Sequence, residues 1–472
     1  MKHHKPIHSL AALATLALLS TGPLFGSARA KQIQAELFDP GFLEGDANYH
    51  SLTPASDGLI YFTIGTHHPD NSARFYSFDP ETDALSEIAR MNDVLGQDRF
   101  ALVPHGKIHT PLIENEGYLY FTTHTSTYDG SLPDLDPADG REPYPGGAFM
   151  RYHLESGTFE HLASIPLPNE GLITLEMDRA GDRLIALTWP SGILFTYDIG
   201  NDRLRQFGAT QGRGEWGHFG EDWDFICRTL GASPDGRIYG STNEGRIWEF
   251  DPAHQRPVKI LEGLSLDILP PVAEASFEIT PEPHFFWRNW RTILWNPNTE
   301  SFWGLHGGST QLFEFEPRER TLRSVRNLRA EGLPNSRRSP LRTQLGFTLG
   351  PDNTLFYLAH GPAIEKPGRT DTKANVHLIT YAIDTDTYTD HGPVVGPDDR
   401  RVFFTESVTI GQDGHLYSVA WVETVDPVRI AAIQDSRGDD LPAETRDVIY
   451  DIQLIRLPEA TRYLYSELPE KP

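Results

Sequence analysis

The chain has 472 residues, with 41 basic and 66 acidic side chains and a formal net charge of −25. So acidic a balance argues against nucleic acid and anionic membrane surfaces as partners, while leaving room for a small anion in a locally basic pocket. A single cysteine, Cys227, excludes an intrachain disulfide and, beside Ile226, reads as a small buried hydrophobe.

The first thirty residues read as a leader. Lys2 and Lys5 give a positive start, Ser9 to Leu19 is a run of small and apolar residues, and Ala28-Arg29-Ala30 fits a small-x-small cleavage rule. The run is too short for a membrane span, and no later stretch is apolar enough for one. The sequence therefore predicts a signal peptide over 1–30 and a mature chain from Lys31 that is periplasmic or secreted. Without Lys2, Lys5 and Arg29 the mature chain holds 38 basic against 66 acidic residues, a net charge of −28.

From there one phrase recurs: a strand, a polar turn, an aromatic-rich strand, a variable insert, and a strand ending in Phe-Asp-Pro or a relative. In chain order the second strands are Leu59-Ile60-Tyr61-Phe62-Thr63 after Asp57-Gly58, Tyr118-Leu119-Tyr120-Phe121-Thr122 after Glu116-Gly117, and Leu184-Ile185-Ala186-Leu187 after Gly181-Asp182. Next come Ile238-Tyr239-Gly240 after Asp235-Gly236 and Phe302-Trp303-Gly304 after Asn298-Thr299. The series ends with Leu355-Phe356-Tyr357 after Asp352-Asn353 and Leu416-Tyr417-Ser418 after Asp413-Gly414. Third strands follow at Tyr76–Asp79, Phe149–Tyr152, Leu194–Asp198, Ile247–Asp251, Leu312–Phe315, Leu378–Tyr381 and Ile449–Leu454.

Alternation, β-branched and aromatic residues mark strands, and Asp-Gly marks hairpins. Length alone suggests about three domains, but a repeat of roughly sixty residues overrides that prior. The reading is an all-β chain: one domain over 31–472, a seven-bladed β-propeller of four-stranded antiparallel blades. No helical periodicity of useful length competes, and Lys31 to Phe38 is expected to add a strand to the last blade and close the ring.

Equivalent blade positions share one level around the axis. Eleven residues before the aromatic of the second strand lie His50, His109, Thr174, Arg228, Arg291, Leu345 and Glu406; four residues after it lie Gly65, His124, Trp189, Asn243, His306, His360 and Trp421. The expectation is a convergence of arginines and histidines, in which the arginines keep the histidines neutral and an anionic ligand relieves the repulsion. Inserts at Thr125–Ala148, Thr210–Phe225 and Pro281–Trp290 carry Tyr128, Tyr144, Trp216, Phe219, Trp223, Phe225, Phe285, Phe286, Trp287 and Trp290. Exposed on loops, such rings would stack on sugars.

The run Lys107-Ile108-His109-Thr110-Pro111, then Tyr118–His124, then Tyr144-Pro145-Gly146-Gly147 and Leu187–Gly192, resembles the propeller ulvan lyases and, more distantly, the oligogalacturonate lyases. The resemblance implies β-elimination on a uronic-acid polysaccharide or oligosaccharide, with histidine and tyrosine moving protons and arginine neutralising the uronate. The family's histidines match His109 and His124. Two positions depart from its pattern: Trp189 stands where relatives carry tyrosine, and Ala148 where they carry histidine, which leaves Tyr144 as a substitute donor.

The hydrogen removed lies α to a carboxylate and is weakly acidic. Arg228 and Arg291 would stabilise the developing charge, each such donor being worth about 3–4 kcal/mol. A neutral His109 would take the proton, a contribution of roughly 10²–10⁴-fold, and His124 or Tyr144 would protonate the leaving oxygen. Trp189, Asn243, His306, His360 and Glu406 would line the substrate. The reaction requires no cofactor. A structural divalent metal (Zn, Mn or Ca) is the open alternative for His67, His68, His124, His306 and His360, whose spacing fits no compact motif. The competing readings are a non-catalytic periplasmic propeller that binds glycan or protein, and a calcium-dependent hydrolase or lactonase, which wants more axial carboxylates than Glu406.

Overall fold

A computed structural model describes residues 32–126, 140–217, 223–254, 256–268, 288–333, 345–362, 375–437 and 449–464. The leader expected over 1–30 falls outside them. The strands form seven separate sheets. Blade 1 is Leu52–Pro54, Ile60–Ile64, Arg74–Asp79 and Ala84–Arg90; blade 2 is Ile113–Asn115, Tyr118–Thr122, Ala148–His153 and Thr158–Ser164. Blade 3 is Gly171–Met177, Arg183–Trp189, Ile193–Asp198 and Arg203–Ala209; blade 4 is Gly231–Ala232, Ile238–Ser241, Arg246–Phe250 and Lys259–Ser265. Blade 5 is Trp290–Asn296, Ser301–His306, Gln311–Glu316 and Thr321–Asn327; blade 6 is Phe347–Gly350, Thr354–Gly361, Asn375–Ala382 and Thr387–Val395. In blade 7 the innermost strand is broken into Val402–Thr405 and Thr409–Ile410, both pairing with His415–Glu423, which pairs with Tyr450–Glu459. Each blade is antiparallel, and the chain is a seven-bladed β-propeller.

The ring closes through residues 33–38. Glu36–Phe38 adds an antiparallel fourth strand to blade 7, with Leu37 opposite Ile455. Three residues earlier, Ile33–Gln34 runs parallel to the outer strand of blade 6. The expected closing strand is therefore present, and it joins two blades rather than one.

The Asp-Gly turns carry a second device. Tyr61 donates its hydroxyl proton to Asp57 at 2.7 Å, and Tyr417 does the same to Asp413 at 2.7 Å. In blade 5 the same four-residue spacing is used by Trp303 Nε1 and Thr299 Oγ1, at 3.0 Å. A polar turn residue thus caps the polar end of an aromatic whose ring lies between blades, so the buried ring keeps a hydrogen bond. Between blades 1 and 2, Tyr61, Phe75, Phe121 and Tyr152 form one such buried layer. Phe78 meets Tyr417 at 5.9 Å across the seam between blades 1 and 7.

One element runs against expectation. Pro427–Arg437 is a helix, inserted between the second and third strands of blade 7. Its apolar face is short: among its residues only Ile433 and Arg437 are buried, which is why no helical period shows in the sequence. The helix works through its last residue. The Arg437 guanidinium donates to the carbonyls of Leu43 at 2.7 Å, Gly45 at 2.6 Å and Tyr450 at 3.4 Å. Among the described residues, no helix is long and apolar enough to cross a membrane.

Replacing Arg437 by Met keeps the stem's bulk but strands those carbonyls. Urea unfolding is expected to show a loss of about 1–3 kcal/mol, the cost of buried acceptors left unmade. An unchanged midpoint would mean that the helix does not tie the closing segment down.

Candidate functional site

The innermost strands deliver side chains from opposite sides of the ring to one place. Lys107 and His124 face each other across the blade 2 hairpin in a pair of backbone hydrogen bonds, 3.1 and 2.8 Å. His109, two residues on, brings its ring centroid to 5.9 Å from that of His124. On its other side the His109 ring stacks against Tyr49 at 3.8 Å and 20°, and lies 6.3 Å from His50. His50 in turn reaches the Thr229 hydroxyl of blade 4 at 3.5 Å, and that hydroxyl donates to the Arg291 carbonyl of blade 5 at 3.1 Å. His109, His124, Arg228 and Arg291 are all buried, while Tyr49 and His50 are half-buried. Blades 1, 2, 4 and 5 thus meet at one cluster.

The electrostatics differ from a bare ring of positive charge. Arg228 is held by Glu215, which is buried, through a bidentate pair whose Nη2–Oε2 arm is 2.8 Å. The same carboxylate accepts from Trp189 Nε1 at 3.0 Å and from the Ile226 amide at 2.9 Å. Arg291 is paired with Glu406 at 2.6 Å, both buried. Each guanidinium therefore has a carboxylate of the same chain beside it, and the repulsion that was expected to need an anionic ligand is relieved internally. Glu215 sits in the Thr210–Phe225 insert, outside the repeated strands, so aligning repeats does not reveal it.

The histidines are nonetheless neutral. Burial, then Arg228, His124, His50 and Arg291, hold the His109 imidazole well below its ordinary value. Burial and Lys107 do the same to His124. His50 falls to about 3 through burial, Arg291 and Arg228. Lys107, with its ammonium at 3.3 Å from the Ser126 carbonyl, is pulled down to about 7 by burial, against the attraction of Asp46.

The remaining expected residues have varied surroundings. Tyr144 is fully buried, its hydroxyl at 3.0 Å from His105 Nδ1 and 3.4 Å from Thr123 Oγ1, and burial raises its phenol far above the ordinary range. It braces its insert against blades 1 and 2. Ala148 begins the third strand of blade 2 and donates its amide to Thr123 Oγ1. Trp189 packs at 5.2 Å from His124. The Asn243 side chain accepts from the Phe225 amide at 3.1 Å and donates to Asp224 at 2.9 Å, pinning the blade 4 insert. His306 bonds Ser309 through Nδ1 at 2.9 Å and is lowered to about 4 by burial and Arg288. His360 belongs to a different group, with Phe404 at 5.7 Å and Phe403 at 6.4 Å; Phe403 stacks on Tyr450 at 4.8 Å. Fixed spacing misplaces Thr174, because the blade 3 turn is two residues longer than that of blade 5; Thr174 faces Leu187 and is buried in the sheet.

Of the insert aromatics, Tyr128, Phe219, Phe285, Phe286 and Trp287 lie outside the described residues. Tyr144, Trp223, Phe225 and Trp290 are buried and Trp216 is half-buried. They pack inward instead of offering open faces to sugars. Trp290 Nε1, for example, donates to the Thr229 carbonyl at 2.8 Å. Cys227 is buried, its thiol donating to that same carbonyl at 3.0 Å. Among the described residues, no three His, Cys, Asp or Glu side chains cluster so as to hold a metal ion. His67 is engaged by Asp46 at 3.0 Å. A cavity of about 780 Å³ opens beside blade 4, walled by Asp224, Glu244, Glu262 and Asp267 with Arg246 and Arg288; it does not include the histidine cluster.

No family model matches the chain, and no curated protein matches it. Among solved structures it is similar to a chain in a crystal structure of the mitotic checkpoint complex, at 13% identity and a TM-score of 0.47, over 87% of this chain and 95% of that one. It is also similar to a protein from Lactobacillus plantarum, at 10% identity and a TM-score of 0.48, over 79% and 93%. The strand ladders, rather than these likenesses, establish the propeller.

Two outcomes follow from the buried charges. Arg228→Met leaves Glu215 buried without its countercharge and is expected to cost about 3–5 kcal/mol in urea unfolding. The double variant Arg228→Met/Glu215→Gln should recover much of that loss; simple additivity would mean that the two groups do not act as a pair. The second outcome concerns His105, fully buried and lowered to about 3 by burial and His161. Its folded value lies below the unfolded 6.5. The stability it contributes is therefore present above 6.5 and lost as pH falls toward about 3, at roughly 1.4 kcal/mol per pH unit. His105→Gln should flatten that acid limb, as read from urea midpoints across the window; an unchanged slope would remove His105 from the account.

Proposed function

We propose that the chain is an exported polysaccharide lyase that cleaves a uronic-acid-containing, ulvan-like glycan by β-elimination at the axial cluster. One observation carries the reading. His109 is an imidazole kept neutral by burial and by the charges of Arg228 and Arg291, with a phenol ring against its face. Removing a hydrogen α to a carboxylate asks for a base that is unprotonated at neutral pH and for fixed donors where the dianionic character develops. His109 meets the first need. Arg228 and Arg291, oriented by Glu215 and Glu406, meet the second. Because the carboxylates offset the guanidinium charge, a uronate would be held by directed hydrogen bonds more than by net attraction. His124 lies on the other side of His109, its ring centroid 5.9 Å away. The elimination forms a carbon–carbon double bond and releases the oxygen linked to the next sugar. No oxidant or reductant enters it.

A second reading has its own support. Both arginines already have internal partners, and the cluster is largely enclosed. This favours a non-catalytic periplasmic propeller that binds glycan or protein partners, with the buried charges acting as structure.

Incubation with a panel of uronate polysaccharides separates the two readings. The lyase reading expects ultraviolet absorbance from the unsaturated product to rise on at least one uronate polymer and on no neutral glycan, and His109→Ala to lose roughly 10²–10⁴-fold in rate. Saturable binding of a polymer without any rise in absorbance supports the second reading and ends the first.

A further inference from the structure

We infer that Trp189 is a positioning residue of the axial site: its indole N–H fixes the Glu215 carboxylate and, through it, the guanidinium of Arg228, while its ring packs beside His124. The inference rests on the lyase reading above. The sequence places Trp189 among the residues that line the substrate. The indole is instead 1% exposed, so it acts on a bound sugar only through its neighbours. Two of those neighbours, Glu215 and His124, tie it to the cluster.

Trp189 ends the second strand of blade 3, and the chain turns at Pro190. Among its described residues the insert that carries Glu215 has no strand of its own, and it docks on this turn. The Glu215 amide donates to the Pro190 carbonyl at 2.9 Å. Glycine is required at 214, because a Cβ there would collide with that same carbonyl. The backbone thus brings the carboxylate near, and side-chain donors then aim it. Trp189 Nε1 donates to Glu215 Oε2 at 3.0 Å, and the Ile226 amide donates to Oε1 at 2.9 Å. One fixed donor on each oxygen sets the plane of the carboxylate. Arg228 meets both oxygens in a bidentate pair, with its Nη2 at 2.8 Å from Oε2. Such a pair is planar, so the plane of the carboxylate becomes the plane of the guanidinium. Without the indole donor, the carboxylate can pivot about its bond to Ile226 and carry the guanidinium with it.

The ring of Trp189 meets the histidine side of the same site. Gly171 lies opposite Trp189 in the blade 3 hairpin, and a Cβ on it would fall 2.8 Å from His124 Cγ. His124 therefore sits over a glycine and beside the indole, with ring centroids 5.2 Å apart and planes inclined by 37°. A fixed charge lowers a barrier only where its geometry is set in advance. After burial, Arg228 is also the largest influence holding the His109 imidazole low, so the aim of that guanidinium bears on the base as well.

The test is Trp189→Phe, which keeps an aromatic ring beside His124 and removes the donor to Glu215. Benzothienylalanine at position 189, in which sulfur replaces the N–H, is the isosteric second variant should the first not fold by urea titration. On the polymer that wild type cleaves, kcat is expected to fall roughly 10²-fold with KM changed by no more than a few-fold. The acid limb of kcat/KM should move to higher pH, because His109 loses part of the field that keeps it unprotonated. In an Arg228→Met background, removal of the indole donor should cost no further activity. A wild-type kcat, a rise in KM alone, or losses that multiply with those of Arg228→Met overturns the role of Trp189 while leaving the lyase reading in place. A wild-type protein that cleaves no uronate polymer overturns both.

Discussion

A guanidinium taken out of water must meet a carboxylate, and this constraint organises the centre of the propeller. Glu215 accepts four hydrogen bonds, two from Arg228, one from Trp189 and one from the Ile226 amide, so both carboxylate oxygens are occupied. Glu406 serves Arg291 across the axis from blade 7 to blade 5. Dry ion pairs of this kind add little net stability, because desolvation offsets their attraction, but losing one partner is severe. They therefore fix positions. With the arginines immobile, the loss of water and their field act together on His109 and His50, and both imidazoles stay neutral at neutral pH. The neutral histidines are a consequence of the ion pairs and of burial, and need no bound ligand.

Closure of the ring and construction of the cluster are one event. The strand that completes blade 7 ends at Phe38, and the chain then runs directly toward Tyr49 and His50. On the way it passes Leu43 and Gly45, whose carbonyls are held by Arg437 from the blade 7 helix. The helix that the sequence does not announce thus secures the stretch that delivers half of the His109 stack. A propeller whose last blade opened would lose Tyr49 before it lost any of the inner strands.

What the sequence reveals and what it conceals follow from repetition. Asp57 with Tyr61 and Asp413 with Tyr417 are legible because a hairpin and its aromatic recur at fixed spacing, and the same rule places His109 near His124 and Arg291 in the ring. It fails at Thr174, where a turn longer by two residues slides the register. Glu215 is invisible to it, since it lies in an insert outside the repeated strands. Tyr49 escapes for a subtler reason. It lies one residue from the ring position His50, and adjacent strand residues ordinarily face opposite ways. Here the chain has not yet entered the Leu52–Pro54 strand, so both side chains can approach His109. Tyr144, by contrast, carries the family-like motif yet spends its hydroxyl on holding an insert.

The charge of the whole molecule sets the terms on which any acidic glycan could arrive. A chain of net charge −25 repels a polyuronate at long range. The axial arginines offer little to counter that at a distance, because Glu215 and Glu406 cancel their field beyond the cluster. Recognition would have to be short-ranged, made of hydrogen bonds formed after contact. Salt would then act in the direction opposite to the usual one for an anionic ligand. Screening weakens the repulsion between exposed charges over a Debye length of about 8 Å at physiological ionic strength, while buried pairs hardly feel it. A site built this way gives up electrostatic steering and keeps discrimination, since an acidic sugar gains from the arginines only when its carboxylate reaches them in the right orientation.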